Sequence, residues 1–122
     1  MELLAIDCEV LPEAVVVHVK GELDSSNVGA FVSDLTSALE QATAHVARLL
    51  VLDLQSLTYF GSAGLNAVLD CHRRGAEAGT SVRLVADNDL VTRPIEVTNL
   101  DSVLHIFPTL ADALQDHHPK ET

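Results

Sequence analysis

Ser62 is the hydroxyl whose neighbours best fit chemistry. It lies in Phe60-Gly61-Ser62-Ala63-Gly64-Leu65, where one apolar pattern ends and another begins. Before it, Leu49 to Leu52 are four consecutive aliphatic residues, followed by the alternation Asp53, Leu54, Gln55. That run predicts a strand buried on both faces which gives way at Gln55-Ser56. After it, Leu65, Val68, Leu69 and His72 recur at i, i+3, i+4, i+7, a helical period. Strand, tight turn, helix therefore places Ser62 at the start of the helix. The first turn of a helix leaves backbone N–H groups unpaired and carries the positive end of the macrodipole. A serine there can cap the helix, or it can carry a phosphate whose charge that end accepts. On the residues alone both uses stand open.

A third use, nucleophilic catalysis, meets the sequence poorly. The elbow of α/β-hydrolases reads Gly-x-Ser-x-Gly, whereas here Gly61 directly precedes Ser62 and Phe60 takes the position two before it. His72 and His105 are the candidate bases, and no spacing ties either to Ser62. Neither G-x-G-x-x-G nor a P-loop is present. His72 adjoins Cys71, but adjacent side chains on a helix diverge and make a poor metal pair. The expectation is a binding protein rather than an enzyme, with no catalytic residue, metal or cofactor.

Composition narrows the partners. The chain has 122 residues, 48% of them apolar but only 3% aromatic, so its core must be built from Leu, Val, Ile and Ala. Eighteen acids against seven bases give a net charge of −11, which repels the phosphate backbones that nucleic-acid binders must neutralise. No apolar run approaches the roughly 20 residues of a membrane span. Residues 1–10 lack the basic start and long apolar core of a signal peptide. A cytoplasmic protein without membrane insertion is expected. Cys8 and Cys71 have no CxxC or metal-like spacing and read as buried thiols in a reducing compartment.

The elements that must position Ser62 follow in order. Leu3–Val10 alternates as a first strand, and Pro12-Glu13 turns the chain into a second, Ala14–Val19, which Gly21 should break. His18 reads as a residue of the sheet face rather than a ligand. Asp24-Ser25-Ser26-Asn27 offers several helix caps. Val28, Phe31, Val32, Leu35, Ala38, Leu39 and Ala42 then form one apolar stripe of a helix over about 26–43. Beyond the central strand and its helix, Arg73-Arg74 and the glycines that follow should close that helix. Ser81–Ala86 is a fourth strand. A helix over about 89–98 should kink or break at Pro94, with Asn99 as a left-handed cap. Val103–Phe107 is a fifth strand, and a last helix opens at Pro108 or Thr109. The order β-β-α-β-α-β-α-β-α predicts one α/β domain spanning 1–122, with a core over about 3–115 and a frayed tail at 116–122. Its mixed sheet has about five strands, mostly parallel, with right-handed crossovers and about four helices largely on one face. The first strand adds antiparallel at an edge.

Two stretches carry a resemblance. Gly21-Glu22-Leu23-Asp24 ahead of a long helix, and LVLDLQSLTYFGSAGL ending at Leu65, resemble the anti-sigma factor antagonists of the STAS-domain family, over about residues 3–115. In that family the strand ends at Asp-Ser-Ser-Gly-Leu or Asp-Ser-Thr-Gly-Leu, whose first serine is the phosphorylation site. Gly61, Ser62, Ala63, Gly64 and Leu65 take those places, so the resemblance implies Ser62 as phosphoacceptor. It implies Asp24 as the nearby aspartate of the Gly-Glu-Leu-Asp turn. Two residues depart from the pattern: Gly61 replaces the acid and Ala63 the second hydroxyl. Pro94 also stands where the family often has an aliphatic residue. The implied partner is an anti-sigma factor, often itself a serine kinase, which the antagonist binds so that a sigma factor is released. Partner contacts are expected at Asp24, Ser25, Gly61, Ser62, Ala63, Gly64 and Asn66. The altered motif leaves open a second role, that of a non-phosphorylated STAS scaffold in a signalling or transport complex.

Overall fold

The computed structural model describes residues 4–115. Five strands form one sheet in the order β1-β2-β3-β4-β5: Ala5–Val10, Val15–Leu23, Leu49–Phe60, Ser81–Val85 and His105–Phe107. β1 pairs antiparallel with β2, and every other pairing is parallel. The helices are α1 (Val28–Ala44), α2 (Ser62–Ala78), α3 (Asp89–Val97) and α4 (Leu110–Gln115), with a 3₁₀ turn at Leu100–Ser102. This is the α/β domain with a mixed sheet that the element order predicts. Neighbouring parallel strands joined by right-handed crossovers put the intervening helices on one side. There Phe31 and Leu35 of α1, Val68 and Cys71 of α2, and Val91 and Ile95 of α3 meet Val15, Val17, Leu50, Leu52 and Leu84. α4 alone crosses to the other side, where Ala113 closes on Val16, Val51 and Val85.

Several expectations need correction. β3 does not give way at Gln55-Ser56; it runs twelve residues to Phe60, because β2 runs beside it to Leu23. β2 continues because Gly21 does not break it. With φ at +106°, a value side chains rarely adopt, Gly21 stands at one of two register shifts between β2 and β3, a bulge rather than an end. α2, by contrast, ends within the expected stretch: its last helical residue is Ala78, and the left-handed Gly79 closes the final turn. Arg74 pairs with Asp70 at 3.5 Å and reaches Thr36 of α1 at 3.3 Å. α3 runs unbroken through Pro94, and Asn99 takes the expected left-handed conformation, with φ at +61°.

Along α1 the buried residues are Phe31, Leu35, Ala38, Leu39 and Ala42, while Val28 is half-buried and Val32 exposed at the flank of the stripe. Leu69 is half-buried at the margin of the core. Cys71 is buried, but Cys8 is exposed because it lies on the edge strand; both are free thiols. Burial pushes the Cys71 thiol up to about 11. No described helix is long and apolar enough to cross a membrane. Leu3 and the 116–122 tail lie outside the described residues.

Candidate functional site

The site stands at the carboxyl ends of β2 and β3, the side of an open α/β sheet where ligands and partners are usually met. Leu23 and Phe60 are register partners at those ends, and the Gly61 N–H donates to the Leu23 carbonyl at 3.1 Å. One residue beyond each lie Asp24 and Gly61. The long parallel pairing thus brings two segments distant in sequence, Asp24–Asn27 and Gly61–Ala63, to one edge of the sheet.

The first loop is held by its own side chains. Asp24 Oδ1 accepts from the Ser26 N–H at 2.9 Å and from the Ser26 hydroxyl at 2.6 Å. Asn27 Oδ1 accepts from the Asp24 N–H at 3.0 Å, and Asn27 Nδ2 donates to the Glu22 carbonyl at 2.8 Å. The Ser26 hydroxyl, then its N–H, holds the Asp24 carboxyl below its ordinary 3.8, so at neutral pH it is a fixed negative charge. Asn27, not Asp24, is the N-cap residue of α1, and its side chain is spent on the loop rather than on the helix. Ser25 is exposed beside it.

In the second loop Gly61 is the extended N-cap residue of α2 and Ser62 is its first helical residue. The capping use of Ser62 is therefore not realised, because the cap position belongs to a residue without a side chain. The Ser62 side chain is exposed, and among the described residues its hydroxyl makes no hydrogen bond. Asn66, four residues on and on the same helical face, is also exposed. Ala63 is half-buried. Gly64 is buried: a Cβ there would lie 2.7 Å from Leu23 Cδ2 and 3.2 Å from Phe60 Cε1. It is the absence of a side chain at 64 that lets the first turn of α2 sit on the strand ends and present Ser62 outward.

Tyr59 belongs to this site and escapes the sequence reading, because a strand ended at Gln55-Ser56 leaves it in an unplaced turn. It is 52% exposed, and its ring lies against Gly61: a Cβ at 61 would meet Tyr59 Cε2 at 3.1 Å and its hydroxyl oxygen at 3.4 Å. The signal that could have located it is its rarity, one tyrosine two residues before a glycine in a chain with three phenylalanines and no tryptophan.

The histidines lie elsewhere. His72 is ten residues along α2 from Ser62, about 15 Å by helical rise. Its ring faces His105 with centroids 6.2 Å apart, beside a cleft of about 290 Å³ that Thr80 and Ser81 also line. Burial, and secondarily His105, lowers its basicity. His18 is, as expected, a sheet-face residue, bonded through Nδ1 to Asp53 and through Nε2 to Glu9, both at 2.9 Å. Among the described residues no group of three or more His, Cys, Asp or Glu could hold a metal ion.

The family model described as STAS domain matches residues 5–113. The chain is 31% identical over 101 residues to RsfA of Mycobacterium tuberculosis, an anti-sigma-F factor antagonist, covering 83% of this chain and 77% of RsfA. It is 32% identical over 101 residues to RsfB of the same organism, another anti-sigma-F factor antagonist, covering 81% and 77%. The crystal structure of an anti-sigma factor antagonist from Mycobacterium paratuberculosis matches with a TM-score of 0.83 at 26% identity, over 93% of this chain and 96% of that one.

Proposed function

The chain belongs to the STAS domain family, and we propose that it is an anti-sigma factor antagonist switched by phosphorylation of Ser62. It binds an anti-sigma factor of the kinase type in the cytoplasm and so frees the sigma factor; phosphate transfer to Ser62 then ends the complex. The observation that carries this reading is a serine hydroxyl, exposed and free of any capping duty, on the first residue of a 17-residue helix. A phosphate there would bring about 1.5–2 negative charges to the surface the partner covers, enough to break an interface by repulsion and desolvation. It would spare the helix, whose N-terminus favours negative charge. The ionised Asp24 at the neighbouring strand end adds a fixed charge that a partner must recognise and that a phosphate at Ser62 would oppose.

The test is the affinity of the parent, Ser62→Ala and Ser62→Asp for the anti-sigma proteins encoded in the same genome, with and without ATP. The parent should bind and be released by ATP. Ser62→Ala should bind and stay bound, and Ser62→Asp should bind weakly without ATP. Asp24→Asn should melt like the parent yet exchange partners poorly. A parent whose binding never responds to ATP, with Ser62→Asp as tight as Ser62→Ala, would instead describe a constitutive scaffold, the role that Gly61 and Ala63 in the motif leave open.

A further inference from the structure

Resting on that reading, the structure assigns partner selection at the Ser62 loop to Tyr59 and Gly61 acting as a matched pair. Of the four Phe and Tyr residues, Phe31 and Phe60 are buried and Phe107 is half-buried, and only Tyr59 is more than half exposed. Tyrosine is among the residue types enriched at the anchoring positions of interfaces, where one end of the ring is apolar and the other polar. Its placement is not accidental to the loop. The ring occupies the space that any side chain at 61 would enter, at 3.1 Å from the Cβ position. At that separation a side chain at 61 would push the ring by at least a few tenths of an ångström. The bare Gly61 thus lets the ring lie where it does, and the chain presents a phenol over the residue that is an acid in the resembled motif.

Negative charge is not lost from the neighbourhood. Glu22 is the register partner of Tyr59 across β2 and β3, and Asp24 follows two residues later. The surface offered is thus an aromatic ring flanked by acids on one side and the Ser62 hydroxyl on the other. It suits an anti-sigma protein with an apolar pocket for the ring and a basic group at its border.

A double-mutant cycle tests the pair. The parent, Tyr59→Ala, Tyr59→Phe, Gly61→Asp and the double variant Tyr59→Ala/Gly61→Asp are titrated against the anti-sigma protein of the same genome that binds the parent. Tyr59→Ala should weaken binding by about tenfold or more, as anchor residues do, while Tyr59→Phe, which keeps the ring, stays close to the parent. Gly61→Asp should weaken binding comparably, because its side chain displaces the ring. The double variant should be no weaker than Gly61→Asp alone, since the same contact is lost only once. Tyr59→Ala binding within about twofold of the parent, or the two losses multiplying in the double variant, overturns the assignment and leaves the antagonist reading standing. A parent that binds none of the anti-sigma proteins overturns both. Melting curves of all five proteins show that the comparison is among folded chains; should Gly61→Asp melt early, the contrast between Tyr59→Ala and Tyr59→Phe decides alone.

Discussion

The two halves of β3 are built by opposite rules. Leu50–Asp53 pairs with β2 on one side and β4 on the other, and Leu50, Val51 and Leu52 are fully buried. From Ser56 to Phe60 the pairing is with β2 alone, through a shifted register, and burial falls to every second or third residue. The first half is held by core packing on both faces. The second is a two-stranded projection whose inner residues, Leu57 and Phe60, hold it down while Tyr59 and the Gly61-Ser62 turn face outward. One strand thus anchors the domain at one end and carries the proposed switch surface at the other. On that proposal stability and recognition are separated along it.

The sharpest way to break that contrast is to truncate one residue in each half. Leu52→Ala should cost about 2–5 kcal/mol, because the site is sealed on both faces and cannot collapse. Ser56→Ala should stay within about 0.5 kcal/mol, as exposed positions do. Equal losses in chemical denaturation would mean that the projection is as much core as the anchor.

Next in size is the seam between helix and projection. Gly64→Ala places a methyl 2.7 Å from Leu23 Cδ2 and should cost about 1–3 kcal/mol as overpacking. It should also disturb the presentation of Ser62. An unchanged denaturation midpoint would show that α2 can retreat without penalty.

A smaller effect sits where the two halves join, at the His18 and Asp53 register pair just before the first shift. Burial alone would lower the basicity of His18, but its hydrogen bonds to Glu9 and Asp53, with their charges, outweigh that and raise it above the ordinary 6.5. The sign follows from linkage. A raised folded value means stabilisation fully present below the unfolded value and lost as pH rises through the folded one. The melting temperature of the parent should therefore decline across the range just above pH 6.5 more than that of His18→Gln. Parallel pH profiles of the two proteins would show that the cluster does not hold the junction.

The same contrast explains what the sequence discloses. Leu49–Leu54 is legible because burial on both faces leaves a continuous aliphatic run, and the α1 stripe because one buried face imposes a period. Gln55–Phe60 is not, because a strand paired on one side in water tolerates Gln, Ser and Thr and looks like a loop. Gly21 reads as a breaker, since a bulge and a strand end both call for a glycine; only the neighbouring strand distinguishes them. The end of α2 is legible because basic residues and glycines gather there, and the last of them, Gly79, is the left-handed cap. Cys8 reads as buried because a free cysteine usually is, yet it stands exposed on β1, whose edge position the element order already predicts. Ser62, Asp24 and Gly64 could be located from their motif, but the contact of Tyr59 with Gly61 could not, because it depends on how a ring folds back over the strand's own end.

The central claim is that the outward end of β3 is a switch thrown at Ser62. Its most direct test is to incubate the complex of the parent chain and its anti-sigma protein with ATP, follow dissociation, and map the phosphate by mass spectrometry. The account predicts one phosphate, on Ser62, appearing at the same rate as the complex falls apart, and neither event with Ser62→Ala. Release of the partner without phosphate on Ser62, or phosphate on Ser62 with the complex intact, would contradict it.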